Sequence, residues 1–309
     1  MLLKSRFGGP PPGETWSGDD AAVVSLPGVV GEHPALLLTA DAVVAGVHID
    51  LALVSLSDVG WKALTVAISD IAAMGGTPAH ALVALGAPPG TDLDEIAEGI
   101  GEAADHWCCP VVGGDLTSAF EVMVSVAVTG TLEGLAPAVL RSGARPGDAL
   151  FVTGRLGASA AGLRLLRAGP VPVPGIGIGE SERAALELAH RRPRARLAEG
   201  RAAREAGASA MMDISDGLGI DLDRLARASR VGFALDEVPV APGATAEEAR
   251  SGGEDYELLI AAPDDGSLPD RFEALGLRPP WRIGVCTADA GERRLGDGTL
   301  GATGYEHRF

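Results

Sequence analysis

A chain of 309 residues carrying a formal net charge of −17 excludes general binding to nucleic-acid backbones or acidic membranes, because those partners demand a basic surface. Its 46% hydrophobic content supplies a sizeable core, and 43 glycines with 21 prolines imply many tight turns. Anionic small molecules stay within reach, since bound cations invert the charge of a local site.

The first residues break into Gly and Pro before a signal-peptide core can form, and residues 1–17 read as a mobile N-terminal arm. No segment approaches the roughly 20 apolar residues that span a bilayer. Cys108, Cys109 and Cys286 are odd in number and lack C-x-x-C spacing, which fits packing cysteines in a reduced, cytoplasmic protein. Residues 36–41, Leu-Leu-Leu-Thr-Ala-Asp, read as a buried strand ending on a carboxylate. From Ser57, Trp61, Leu64, Ile68 and Ile71 recur at helical steps, with Ser57 as N-cap, Gly75-Gly76 as stop and Lys62 as a solvated position. A strand over 80–85, a helix over 91–107, a short strand into Gly113-Gly114-Asp115 and an alternating strand over 121–130 follow.

The turn-rich run 141–148 marks a domain boundary, separating a domain of residues 18–140 from one of 141–309. Beyond it come a strand over 149–153, a helix over 159–167, a Pro/Gly loop over 169–179 and a long helical stretch over 181–206. A strand over 210–214 feeds a helix from Asp216, and another strand covers 256–261. Strands and helices mix in both halves, which predicts an α/β or α+β fold.

Five acidic motifs place Asp at a strand end or glycine turn: Gly18-Asp19-Asp20, Thr39-Ala40-Asp41, Ser69-Asp70, Gly113-Gly114-Asp115 and Asp213-Ile214-Ser215-Asp216-Gly217. Magnesium prefers about six oxygen ligands. Carboxylates from separate loops, completed by phosphate oxygens, water and the Thr39 hydroxyl, make a sensible nucleotide site. Strand alternation sends one of the first pair inward, and Asp20 is chosen. Each motif also has an ordinary reading: Asp19-Asp20 as a solvated turn, Asp70 as a local cap, Asp115 as a turn residue, Asp216 as a helix start. An acid late in a helix opposes its dipole, which tilts Asp70 toward a ligand role. The chain has no G-x-x-x-x-G-K-[ST] cradle, and Gly175-Ile176-Gly177-Ile178-Gly179-Glu180 lacks the third glycine of a dinucleotide fingerprint and reads as a loop.

These motifs, with WKALTVAISDIAAMGG at 61–76, RSGARPGD at 141–148 and above all SGGEDYELL at 251–259, resemble the thiamine-monophosphate kinase family, within the superfamily of aminoimidazole ribonucleotide synthase. The likeness runs from Gly18 to Tyr305. It implies a two-domain fold in which N-terminal sheets join as a dimer barrel and a C-terminal α/β domain completes the active site. It implies ATP-dependent phosphorylation of thiamine monophosphate to thiamine diphosphate, with several magnesium ions, ATP as co-substrate and a homodimer. By position, Asp20, Thr39, Asp41, Asp70, Asp115, Asp213 and Asp216 match metal-site residues. Gly114, Asp115, Arg141 and Ser215 match nucleotide contacts, and His48, Glu254 and Tyr305 match substrate contacts. Transfer is supported by Asp70, Asp115, Asp216 and Arg141, with no protein nucleophile, because a phosphate acceptor is already ionised.

The chain departs from the family in its short segment before Gly18 and in a compact stretch between Pro239 and Gly252. Other superfamily members fit less well. The synthase lacks the Gly-Gly-Glu-Asp-Tyr-Glu run, a hydrogenase-maturation relative ends on a functional cysteine, and selenophosphate synthase needs a reactive N-terminal residue. A metal- or nucleotide-binding regulator without turnover is the rival from another class.

Overall fold

The computed structural model describes residues 10–16, 18–25, 35–134, 136–169 and 177–306. The expectations for residues 1–9, for Ser17, for most of the Pro/Gly loop including Gly175-Ile176, and for the chain end beyond Glu306 lie outside these. Of the arm, residues 10–16 lie within them, and Thr15 exchanges both backbone hydrogen bonds with Val23 at 3.0 and 2.6 Å.

The first half contains β1 (Ala22–Ser25), β2 (Ala35–Val44), α1 (Leu56–Ala73), β3 (Thr77–Ala87), α2 (Leu93–Trp107), β4 (Val111–Ser118) and β5 (Met123–Thr131). Its sheet runs β1-β2-β5-β3-β4. Central β5 alternates, with Val124, Val126 and Val128 buried beneath the helices. Helix α1 starts two residues earlier than expected. Ser55 and Asp58 close a capping box, in which Asp58 N–H donates to Ser55 Oγ at 3.1 Å and Ser55 N–H to Asp58 Oδ2 at 3.3 Å. Ser57 is therefore inside the first turn. The two helices touch through glycine: a Cβ on Gly99 would stand 1.8 Å from the Ser57 carbonyl oxygen, so no other residue permits this approach.

The second half contains β6 (Ala149–Val152), α3 (Ala158–Ala168), α4 (Glu180–Arg191), α5 (Leu197–Glu205), β7 (Ala210–Asp213), α6 (Leu218–Ser229) and β8 (Gly232–Leu235). It ends with α7 (Ala246–Ser251), β9 (Leu258–Ala262), α8 (Ser267–Ala274), β10 (Trp281–Thr287), β11 (Arg293–Leu295) and β12 (Gly298–Thr299). The sheet order is β12-β11-β8-β10-β6-β9-β7, antiparallel except for β11 beside β8. Apolar side chains cover both faces: Phe233, Leu222 and Ile283 on one, Phe151, Phe272 and Ile260 on the other.

The long helix expected over 181–206 is two helices. Pro193 disfavours helical backbone at the preceding Arg192 and removes a donor, so α4 ends at Arg191. The helix expected from Asp216 starts at Leu218, because Asp216 and Gly217 turn their N–H groups onto the Asp221 carboxylate. Strands β8, β10, β11 and β12 have no counterpart in the sequence reading. Helix α1 joins the halves, buried on nearly all sides with α5 and β7 against it.

Candidate active site

Three carboxylates from three segments meet where α1 crosses the second sheet. Asp20 comes from the turn before β1, Asp70 from the last turn of α1, and Asp213 from the end of β7. One oxygen of each lies within 4.8 Å of the others. Thr39 Oγ1 on β2 donates to Asp70 Oδ2, and Ser69 Oγ donates to Asp213 Oδ2 at 2.6 Å. Arg141 Nη2 donates to Asp20 Oδ1 at 2.5 Å. Asp19, expected to face solvent, instead accepts the Arg141 backbone N–H at 3.1 and 3.2 Å.

The cluster holds more negative charge than its neighbours neutralise. Burial, and then Asp213 and Asp19, push the Asp20 carboxyl well above the usual range against the pull of Arg141. Burial does the same to Asp70, helped by Asp213 and Asp20. Asp213 is pushed up to about 6 by burial, against the Ser69 hydrogen bond. Asp20 Oδ2 is buried with no hydrogen-bond partner. A buried orphan oxygen among oxygen donors fits a hard divalent cation.

A pH dependence follows. The proton on Asp213 stabilises the fold fully below the ordinary value of 3.8, and this contribution is lost as pH rises through about 6. Magnesium should therefore raise the melting temperature more at a pH of about 7.5 than at about 5. A gain independent of pH, measured by thermal unfolding with and without magnesium, would remove Asp213 from the cation site.

Beside the cluster opens a cleft of about 1040 Å³, lined among others by Asp41, His48, Ser215, Asp216, Glu254 and Tyr305. Such a volume suits ligands of nucleotide size. Val44 N–H donates to His48 Nδ1 at 3.0 Å, orienting the ring. Asp216 is held by Arg224 Nη1 at 2.5 Å, while Tyr305 N–H donates to the Asp216 carbonyl at 2.9 Å. The Gly-Gly-Glu-Asp-Tyr run lies along the Asp213–Gly217 turn, with Glu254 N–H on the Ser215 carbonyl at 2.7 Å and Tyr256 N–H on the Ile214 carbonyl at 2.9 Å. A Cβ on Gly253 would stand 2.6 Å from the Ser215 oxygen, which explains the glycine.

Lys62 contradicts its expected place in solvent. It is 1% exposed, and its Nζ donates to both Glu254 oxygens at 3.0 Å. An inward helix position is not a solvated one, and the ammonium enters because a carboxylate meets it there. Burial raises the Glu254 carboxyl, but Lys62 and His190 outweigh it and hold the group down at about 2.

Gly114 and Asp115 do not join the cluster within one chain. They lie on edge strand β4, three strands from Thr39 and Asp41 on β2, roughly 14 Å at the usual spacing. Sequence reasoning gave no site role to Asp19, Ser69, Lys62, His190, Asp221 or Arg224. Lys62, Ser69 and Asp221 share turns with named motifs, which is a usable signal, whereas His190 and Arg224 reach the site only through folding.

A family model of the AIR synthase related protein N-terminal domain matches residues 18–132, and one of the corresponding C-terminal domain matches 145–296. The thiamine-monophosphate kinase of Corynebacterium glutamicum is 35% identical over 280 residues, 85% of this chain and 81% of that protein. That of Rhodopirellula baltica is 38% identical over 270 residues, 81% of this chain and 77% of that protein. Among solved structures, AaThiL complexed with AMPPCP and TMP superposes with a TM-score of 0.79 at 31% identity, covering 94% of this chain and 91% of that one. Hydrogenase maturation protein HypE in complex with ATP, at 18% identity and a TM-score of 0.63, covers 87% of this chain and 79% of that one and shares the fold.

Proposed function

Since the chain belongs to the thiamine-monophosphate kinase family of AIR synthase related proteins, we propose that its cleft phosphorylates thiamine monophosphate to thiamine diphosphate with ATP as donor. The observation that carries this reading is the buried cluster of Asp20, Asp70 and Asp213, with its orphan oxygen, at the edge of a nucleotide-sized cleft. Asp20, Asp70 and Asp213, with Thr39, Asp41 and Asp216 beside them, would hold magnesium. When bound, magnesium neutralises the two phosphates brought together. The γ-phosphorus bond to the ADP oxygen breaks as a bond to an acceptor phosphate oxygen forms, in line. That acceptor oxygen is ionised near neutral pH, so no side chain need remove a proton or form a covalent intermediate.

Arg141 is the phosphate clamp in this reading. Its guanidinium is anchored by Asp20, its Nε is buried without a hydrogen-bond partner, and its flat fork suits phosphate oxygens. Ser215 and Gly114 serve the nucleotide. Glu254, His48 and Tyr305 bind the acceptor.

The functional unit in this reading is a homodimer. Edge strand β4 is exposed along its whole length, with Leu116 at 68% and Val112 at 58%. Among the described residues strand β2 pairs with β1 only over 35–38, so within them its 39–44 half has an open edge too. Open edges of apolar strands seek a second strand. Joining β4 of one copy to the open half of β2 of another closes a barrel, and brings Gly114 and Asp115 beside Thr39 and Asp41 of the second copy.

The test is incubation of the purified protein with ATP, magnesium and thiamine monophosphate, following ADP and thiamine diphosphate together. Equal amounts of both are expected. ATP binding with no product across metals and pH would favour a regulator without turnover.

A further inference from the structure

Glu254 reaches the cleft in an unusual way. Its φ is +68°, a left-handed backbone costly for any residue that carries a Cβ, and its side chain remains 25% exposed at the cleft wall. Two partners hold the carboxylate. Lys62, from the buried side of α1, spans 192 residues of sequence to donate to both oxygens at 3.0 Å. His190, at the end of α4 and 3% exposed, brings Nδ1 to 3.3 Å from Oε2 and to 3.1 Å from Ser159 Oγ. Nδ1 is thus shared between the carboxylate, at ion-pair distance, and the Ser159 hydroxyl, at hydrogen-bond distance.

The acceptor capacity can be counted. An ionised carboxylate offers about four lone-pair sites. Lys62 fills two and His190 Nδ1 stands against Oε2 at 3.3 Å, which leaves about one, on Oε1, for a group in the cleft. The charge is also cancelled, because the Lys62 ammonium faces the whole carboxylate. A wall built in this way draws a cation weakly, yet it accepts one hydrogen bond in a fixed direction.

We propose that Lys62 and His190 are positioning residues that turn Glu254 into a neutralised, single-site hydrogen-bond acceptor for an amino group on the acceptor's aromatic ring. This rests on the kinase reading above and deepens it. The substrate's exocyclic amino group is selected at Glu254, while the positive charge of its second ring is not. A ligand with an oxo group in place of that amino group presents an oxygen to the remaining lone pair and is rejected.

The experiment compares thiamine monophosphate with oxythiamine monophosphate, its 4-oxo counterpart, in wild type, Lys62→Met, Glu254→Gln, the double variant and His190→Gln. Wild type should favour the amino compound by about tenfold or more in kcat/KM. Lys62→Met should raise KM for thiamine monophosphate about tenfold, leave KM for ATP unchanged, and flatten the preference. In the Glu254→Gln background, Lys62→Met should add nothing, since both act through one group. His190→Gln keeps the ion pair and should show the same KM effect at about threefold, so it carries the test if Lys62→Met does not fold. An unchanged preference in folded Lys62→Met, or equal rises in both KM values, or additive effects in the double variant, would overturn the proposal. So would a His190→Gln protein with wild-type KM and preference. Wild-type turnover of thiamine monophosphate is the control: its absence would defeat the kinase reading, whereas its presence with unaffected variants defeats the positioning role alone.

Discussion

Asp20→Asn is expected to lower turnover at saturating ATP and magnesium by about 10³-fold, equivalent to roughly 4 kcal/mol of lost transition-state stabilisation. The asparagine keeps the volume and the Oδ1 that Arg141 binds, but it replaces the buried orphan oxygen with an N–H donor. A cation loses its ligand and meets a dipole of the wrong sign. The fold should not suffer. Asp20 stands against Asp70 and Asp213, and removing its charge relieves the other two. Melting of the variant in chelator near pH 7.5 should match or exceed that of wild type. Wild-type turnover with an unaltered magnesium dependence would remove Asp20 from the metal site. A loss of activity matched by a loss of melting temperature would instead make it a folding residue.

The second large effect is a recovery. Asp115→Asn and Asp20→Asn should each be nearly inactive alone. When the two are mixed and their subunits exchanged, about a quarter of wild-type activity should return. Random reassortment makes half the dimers mixed. If Asp115 serves the other copy's site, each mixed dimer carries one site with both lesions and one with neither. Strand order motivates this arrangement, since β4 and β2 occupy different ends of one sheet while Asp20 and Asp41 stand on the β2 side. An Asp115 serving its own chain leaves one lesion in every site, and the mixture would be no more active than its parents. Activity read after subunit exchange separates the two cases directly.

Much of the framework was legible because it is local. Apolar periodicity located α1, and alternation located β5, where Val124, Val126 and Val128 face the helices. The boundaries moved where side chains outbid propensity: Ser55 with Asp58 at α1, Asp221 at α6, Pro193 between α4 and α5. Short strands such as β8 and β11 carry too few residues for a period to register, and only their sheet neighbours make them strands.

The aspartates divide in the same way. Composition and motif spacing pointed to a polycarboxylate phosphate site without a P-loop, because glycine turns and strand ends are written in consecutive residues, and the Gly-Gly-Glu-Asp-Tyr run carried the resemblance to the kinase family. Which carboxylates come together was decided only by tertiary structure. Asp20, Asp70 and Asp213 meet across 193 residues of chain, and Asp115 does not meet them within it. Lys62 shows the reason most plainly. A lysine on a helix is solvated by default, and only a carboxylate delivered from 192 residues away makes its burial tolerable.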